Sequence, residues 1–154
     1  MIVPSTPSMR GATPDDVARI RAIAQAAYAK YVERIGREPA PMLADYAGDV
    51  AGQRVVVIEA GASVQGYLLA WPEADAYFIA NIGVDPRCQG AGLGRRLMDH
   101  AIAEARRLQL PGLKLYTHAL MFENLCMYAH LGFVETHRVF ENGFDRVYMR
   151  LSLA

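Results

Sequence analysis

The sequence has little of what most functional classes depend on. It holds two cysteines in 154 residues, Cys88 and Cys126, far apart and in no C-x-x-C pair, which excludes a disulfide framework and a zinc knuckle. Its four histidines, His100, His118, His130 and His137, fall in no H-E-x-x-H or comparable spacing, so no metal is expected. Net charge is missing as well: 16 Lys and Arg balance 16 Asp and Glu. With no global field, neither nucleic acid nor an anionic membrane is an expected partner, and any charged ligand must be met locally. The best apolar run, RVVVIEAGASVQGYLLAW, is cut by Glu59, Gln65 and two glycines, too interrupted for a membrane span. The opening MIVPSTPSMR is no basic-then-apolar leader, and together these absences predict a soluble cytoplasmic protein. No repeat or low-complexity linker divides the chain, and proline gathers only in the first seven residues and in PAPM at 39 to 42. We therefore read residues 1–154 as a single domain. A chain of this size hides roughly 70% of its unfolded surface, and an apolar content of 53% can fill that core.

Thr13-Pro14-Asp15-Asp16 reads as a helix start, with a Thr cap, Pro at the first position and acids at the positive end of the dipole. Val17, Ile20, Ala24, Ala27, Tyr28 and Tyr31 then recur at helical spacing as far as Gly36. A short helix is expected from about Met42 to Val50. RVVVIEA and VQGYLLAW, flanking Gly61-Ala62-Ser63, predict an antiparallel hairpin, and AYFIANIGV a third strand ended by Pro86. Residues 91 to 109 form a helix with Leu93, Leu97, Ala101, Ala105 and Leu108 on one face and Arg95, Arg96, Asp99, Arg106 and Arg107 mostly on the other. Pro111-Gly112 is expected to end it. LKLYTH follows as a strand, ENLCMYAHL as a short helix closed by Gly132, and FVETHRVF with RVYMRLSL as a hairpin turning near Asn142-Gly143. The order α α β β β α β α β β predicts a mixed α/β sheet.

The stretch NIGVDPRCQGAGLGRRLMDHA, 81 to 101, sets Gly90, Gly92 and Gly94 between a strand and a helix. Such a junction leaves backbone N–H groups unpaired where the helix dipole favours negative charge, a cradle for phosphate. The same glycines also suit a tight turn and close helix packing, so both readings stand. A Walker A loop needs Lys-Ser/Thr after its last Gly, whereas Gly94 is followed by Arg95-Arg96. A Rossmann fingerprint needs G-x-G-x-x-G on an early strand, whereas this loop is G-x-G-x-G after three strands.

The loop resembles the Q/R-x-x-G-x-G/A segment of the GCN5-related N-acetyltransferases (GNAT), through Gln89, Gly92 and Gly94 and also in register through Arg87, Gly90 and Gly92. ENLCMYAHLGF, 123 to 133, is similar to the family segment ending Tyr-x-x-x-Gly-Phe, here Tyr128, Gly132 and Phe133. The resemblance covers most of the chain, with acceptor-side helices at about 14–51 and an acetyl-CoA-binding core at about 76–133. It implies a GNAT-like α/β (α+β) fold, a mixed, mostly antiparallel twisted sheet flanked by helices. Acetyl-CoA is the implied acetyl donor, with no metal. Its pyrophosphate would lie on the backbone of Gln89, Gly90, Ala91, Gly92, Leu93, Gly94 and Arg95, with Arg96 close by. Ile82, Gly83 and Val84 would bond the pantetheine arm and acetyl carbonyl as a strand edge does. Tyr128 would donate the proton that the leaving thiolate takes, a task suited to a phenol protonated at neutral pH. The implied partner is a small-molecule or peptide amine, and a homodimer is compatible with the resemblance.

Several roles stay open. Tyr128 also fits a core aromatic. Met121 stands where many members carry an Asn contacting the cofactor; Asn124 either replaces that contact or caps the helix beginning near Phe122. The glutamate bases of some members align at or near Phe78 and Tyr116, neither of them a base at neutral pH. Glu123, His118 or a water chain remains for that role. Cys126 raises a covalent route with no marked partner. In 31 to 46, Arg34, Arg37, Glu33 and Glu38 could read an acceptor or simply face solvent. Tyr28, Tyr31, Tyr46 and Tyr77 fit either a pocket lining or core. The expected function is acetyl transfer from acetyl-CoA to a primary amine by direct attack in a ternary complex. The alternatives are a non-catalytic acyl-CoA-binding sensor or scaffold, and a nucleotide-binding domain.

Overall fold

The computed structural model describes residues 6–153, and most of the proline-rich start lies outside them. Strand β1, Ser8–Gly11, was not expected from the sequence, which shows no alternating apolar pattern there. Arg10 on β1 pairs with Asp16 at 2.8 Å, and the Asp16 carboxylate also accepts the Thr13 N–H at 2.7 Å. That acid holds the expected helix start, as a 3-10 turn, Pro14–Asp16, leading into α1, Val17–Tyr28. The predicted single helix is interrupted at Ala29, and α2, Lys30–Ile35, ends at Gly36 with φ +86°. The short helix expected from Met42 starts later: Ala40–Met42 is a 3-10 turn, and Asp45, whose side chain accepts from the Gly48 N–H, caps α3, Tyr46–Ala51.

Strands β2, Val55–Ala60, and β3, Ser63–Pro72, form the expected hairpin, and β4, Tyr77–Val84, the expected third strand. Helix α4, Leu93–Arg107, ends two residues before the sequence suggests. Pro111-Gly112 does not stop it. Gln109 does, with φ +58°, while Leu110 N–H bonds Ala105 O and Gln109 N–H bonds Arg106 O, the paired bonds of a Schellman cap. Leu108 therefore falls past the apolar face and is exposed, whereas Leu93, Leu97, Ala101 and Ala105 are buried. Strand β5, Gly112–His118, helix α5, Phe122–His130, and strands β6, Val134–Glu141, and β7, Phe144–Ser152, complete the chain. Asn142 and Gly143 both take positive φ, as a two-residue type I′ hairpin turn requires.

The sheet is mixed and seven-stranded, in the order β1-β2-β3-β4-β5-β7-β6. Strands β4 and β5 run parallel, Tyr77–Ile79 against Leu113–Leu115, across the crossover that contains α4; β5–β7 and β6–β7 are antiparallel. Packing divides the described residues into two compact units, 6–69 with 81–99 and 70–80 with 100–153. In the first, Ile20, Ile23 and Ala24 of α1, Val57 and Ile58 of β2, Tyr67 and Leu68 of β3 and Leu97 and Met98 of α4 are buried. In the second the buried set is Tyr77, Ile79, Ala101, Ala105, Leu113, Leu115, Phe133 and Val147. No helix among the described residues is long and apolar enough to cross a membrane.

Candidate active site

In the first unit, the end of β4 is built to expose backbone. Asp85 N–H donates to Gln65 O at 2.8 Å, so strand alternation turns the N–H groups of Val84 and Ile82 toward the opposite edge. The ladder with β5 stops at Ile79, and those two groups have no strand partner among the described residues. The Ile82 carbonyl accepts the Tyr28 hydroxyl of α1 at 3.0 Å, a contact with no sequence signal. Gly83 is glycine for a local reason, because a Cβ there would overlap the Tyr67 ring. Tyr46 and Tyr67 join by their hydroxyls at 3.1 Å. Asn81 is buried beside them in the same unit, and its Oδ1 has no hydrogen-bond partner, an arrangement that costs on the order of 1–3 kcal/mol. Tyr28, Tyr31, Tyr46 and Tyr77 are all buried and serve as core.

The glycine loop follows. Gly90 and Gly92 have φ +89° and +79°, so the backbone itself demands glycine at both. Gly94 is different: its φ is not in the left-handed region, and an added Cβ would come no nearer than 3.9 Å to Val84. Nothing in the chain excludes a side chain there. The first bond of α4 is Arg96 N–H to Gly92 O at 3.0 Å, which leaves the N–H groups of Leu93, Gly94 and Arg95 without an intrahelical acceptor. Dipole and free donors coincide at an open surface, the physical requirement for an anion site. Arg95 pairs with Asp99 at 3.0 Å.

Asp85, which the sequence reading passed over, anchors this loop. Its carboxylate accepts Arg19 Nη2 at 2.7 Å, Arg87 Nη2 at 2.9 Å and the Arg87 N–H at 3.0 Å. Bonds from Arg87 and then Arg19 hold the carboxyl far below the usual carboxylate range. The signal was an Asp before Pro86 at a strand end, a cap for the 3-10 turn Pro86–Cys88.

In the second unit, the Tyr-x-x-x-Gly-Phe segment is a complete helix stop. Phe133 N–H bonds Tyr128 O at 3.0 Å and Gly132 N–H bonds Ala129 O at 3.1 Å, with Gly132 at φ +101°. The Tyr128 and Phe133 rings meet edge to face at 5.8 Å, the apolar contact that accompanies such a cap. Burial pushes the Tyr128 hydroxyl up to about 12, with no hydrogen bond or charge contributing. The helix cap is Met121 and not Asn124. Met121 is buried, its sulfur receiving Thr117 Oγ1 at 3.4 Å and Asn124 Nδ2 at 3.7 Å.

His118 faces two donors: Leu120 N–H at Nδ1, 3.1 Å, and Asp145 N–H at Nε2, 3.3 Å. A neutral imidazole accepts at one nitrogen only and a cation at neither. Its one lone pair is taken by one of these two backbone N–H groups, which leaves none for a substrate proton, and burial lowers its pKa. The positions of the missing glutamates belong to a row of rings across five strands: Trp71–Phe78 at 5.2 Å, Phe78–Tyr116 at 5.9 Å, Tyr116–Tyr148 at 5.4 Å and Tyr148–His137 at 4.4 Å. Cys126 is exposed, and among the described residues no cluster of three or more His, Cys, Asp or Glu could hold a metal.

A mixed sheet whose parallel crossover opens on a glycine loop and a helix N-terminus defines an α/β protein with unbonded backbone N–H groups at that loop. The sequence profile of the acetyltransferase (GNAT) domain matches residues 51–135, and the chain belongs to that family. A search of curated protein sequences finds no significant match. Among solved structures, the fold is similar to the ribosomal-protein-S18-alanine N-acetyltransferase of Escherichia coli, at 22% identity, TM-score 0.76, over 97% of this chain and 95% of that one. Ard1 from Thermoplasma volcanium aligns at 19% identity, TM-score 0.76, over 96% and 98%. The yncA protein of Salmonella typhimurium, solved with its cofactor acetyl-CoA, aligns at 24% identity, TM-score 0.68, over 96% and 94%.

Proposed function

We propose that the protein is an acetyl-CoA-dependent N-acetyltransferase that acetylates a primary amine by direct attack in a ternary complex. The observation that carries this reading is Gly94, a glycine that the chain does not need, beside three N–H groups that α4 leaves unbonded. A cradle that any Cβ would partly fill fits a pyrophosphate. Acetyl-CoA, when bound, supplies an activated acetyl thioester and a thiol leaving group. Gln89, Gly90, Ala91, Gly92, Leu93, Gly94 and Arg95 hold its phosphates through backbone. Ile82 and Val84 orient the pantetheine and the acetyl carbonyl through their outward N–H groups, and Gly83 admits the Tyr67 ring behind them. Tyr128 keeps its proton at neutral pH and gives it to the departing sulfur. Asn124 contributes its amide to the cofactor side. The amine arrives as the free base, and its proton leaves through water or Glu123, since His118 is committed to backbone. Similarity to an alanine N-acetyltransferase and to a protein solved with acetyl-CoA supports the donor and an amine acceptor.

The test is thiol release from acetyl-CoA over a panel of amines, amino acids and N-terminal peptides. Turnover with at least one of them is expected; acetyl-CoA binding without turnover on any would favour the second reading, a non-catalytic acyl-CoA-binding module. That reading draws its support from Phe78 and Tyr116 standing where acids would align.

A further inference from the structure

The Arg19–Asp85–Arg87 cluster holds two guanidinium groups on one carboxylate, a surplus of one positive charge beside the glycine loop of a chain with no net charge. The two arginines are not equivalent. Arg19 is tied twice, through Nη2 to Asp85 at 2.7 Å and through Nε to Val64 O at 2.9 Å, and its side chain is 32% exposed. Arg87 is 81% exposed, against 5% for the carboxylate that it grips. An ion pair with so solvated a partner gains little. If Arg87 lets go, Arg19 still neutralises Asp85, and the Arg87 N–H still bonds Oδ1 at 3.0 Å. No buried charge is stranded. Arg87 also stands three residues before Gly90, whose positive φ starts the turn toward α4.

We propose that Arg87 is an exchangeable phosphate ligand, which leaves Asp85 for a phosphate of bound acyl-CoA, and that Arg19 is the positioning residue that makes this exchange possible. The proposal rests on the acetyl-CoA reading above. A free guanidinium can fork onto two phosphate oxygens, where its charge is worth more than on a carboxylate already paired. Without Arg19, Arg87 becomes the only counter-ion of a buried carboxylate and is pinned, because releasing it would leave that charge unpaired.

Calorimetric titration of the full chain with CoA and with dephospho-CoA, at low and moderate salt, tests this. The native protein must bind CoA; if it does not, the functional reading fails and not this one. Arg87→Ala should weaken CoA binding about tenfold, the loss of one charge-assisted contact, and flatten its salt dependence. Its thermal midpoint should stay within about 2 °C, as for an exposed ion pair. If the tenfold loss disappears with dephospho-CoA, the phosphate met is the 3′-phosphate; if it persists, it is the pyrophosphate. In the Arg19→Gln background, Arg87→Ala should cost less than about twofold, because the pinned arginine no longer contributes. Arg87→Ala binding CoA as the native protein does, or the two substitutions adding independently, would overturn the proposal.

Discussion

The two glycine-bearing helix ends, the start of α4 and the end of α5, both resemble family signatures, yet the structure accounts for them in opposite ways. At the end of α5 every feature is used by the chain itself. Gly132 reverses the backbone, Phe133 and Gly132 donate to Tyr128 and Ala129, and Phe133 covers the Tyr128 ring. At the start of α4 the chain uses Gly90 and Gly92 for its own turn but has no use for Gly94, nor for the N–H groups of Leu93, Gly94 and Arg95. A motif that closes its own hydrogen bonds is explained by folding. One that leaves donors open, as every helix start does, can offer them to water or to a ligand, and folding alone does not account for the glycine beside them.

Tyr128→Phe tests the first half of that contrast most severely. The cap uses the backbone and ring of Tyr128, so fold and acetyl-CoA affinity should persist, while loss of a general acid should lower kcat by about 10²–10⁴-fold. Steady-state rates beside a binding titration decide it; an unchanged kcat reduces the segment to a helix stop. Gly92→Val comes next. It combines backbone strain at φ +79° with a branched Cβ in the cradle, and should cost about two charge-assisted hydrogen bonds' worth of acetyl-CoA affinity, on the order of a hundredfold or more. Because the strain also lowers stability, thermal unfolding must accompany the titration.

Gly94→Ala separates those two effects. With an unstrained backbone and room for the Cβ, alanine in a helix should stabilise the ligand-free protein by ~0.5–1 kcal/mol. It should also weaken acetyl-CoA binding by about tenfold through crowding. A protein that is more stable and binds equally well would show that the cradle is empty by accident. Gly132→Ala should do the reverse: about 1–2 kcal/mol lost in unfolding titrations, since the left-handed φ is required and the Cβ would sit 3.1 Å from Leu151, with affinity for acetyl-CoA intact.

The smallest effect expected concerns pH. The folded-state pKa of His118 lies below its ordinary value, chiefly through burial, with Asp145 opposing and Arg146 adding to the shift. The unfolded state therefore takes the proton more readily, so the stabilisation is complete above about pH 6.5 and is lost as pH falls through the folded value. Protonation would also strand one of the Leu120 and Asp145 N–H groups that the neutral ring can receive. Thermal midpoints from pH 7.5 to 5 should fall more steeply for the native protein than for His118→Asn.

Helices and strands were legible where periodicity and caps agreed. Thr13-Pro14, Asn142-Gly143 and Gly132 each marked a boundary that the backbone respects. The misses have physical causes. Gln109 ends α4 because a Schellman cap tolerates a non-glycine residue in the left-handed region, which composition does not reveal. β1 is too short and polar to carry a pattern, and is held by its ladder with β2 and by Arg10 on Asp16 and Glu59. At the candidate site, the loop could be read from glycine spacing, but the partner of its anchor could not. Arg19 and Asp85 lie 66 residues apart, and only the folded chain brings them together. Nor did the sequence show that both His118 nitrogens face backbone N–H groups, those of Leu120 and Asp145.

The strand order also constrains when this sheet can be finished. β7 follows β6 in sequence, yet it lies inside the sheet, pairing β5 on one side and β6 on the other. During synthesis β5 and β6 emerge with no ladder between them and must wait for Phe144–Ser152 to leave the ribosome. The exposed β6, with only one partner to come, is a bare strand in that interval, open to wrong pairing. A chain stopped just short of Phe144 would lose an inner strand and not an edge, so nonsense mutations there should be as damaging to solubility as those far upstream.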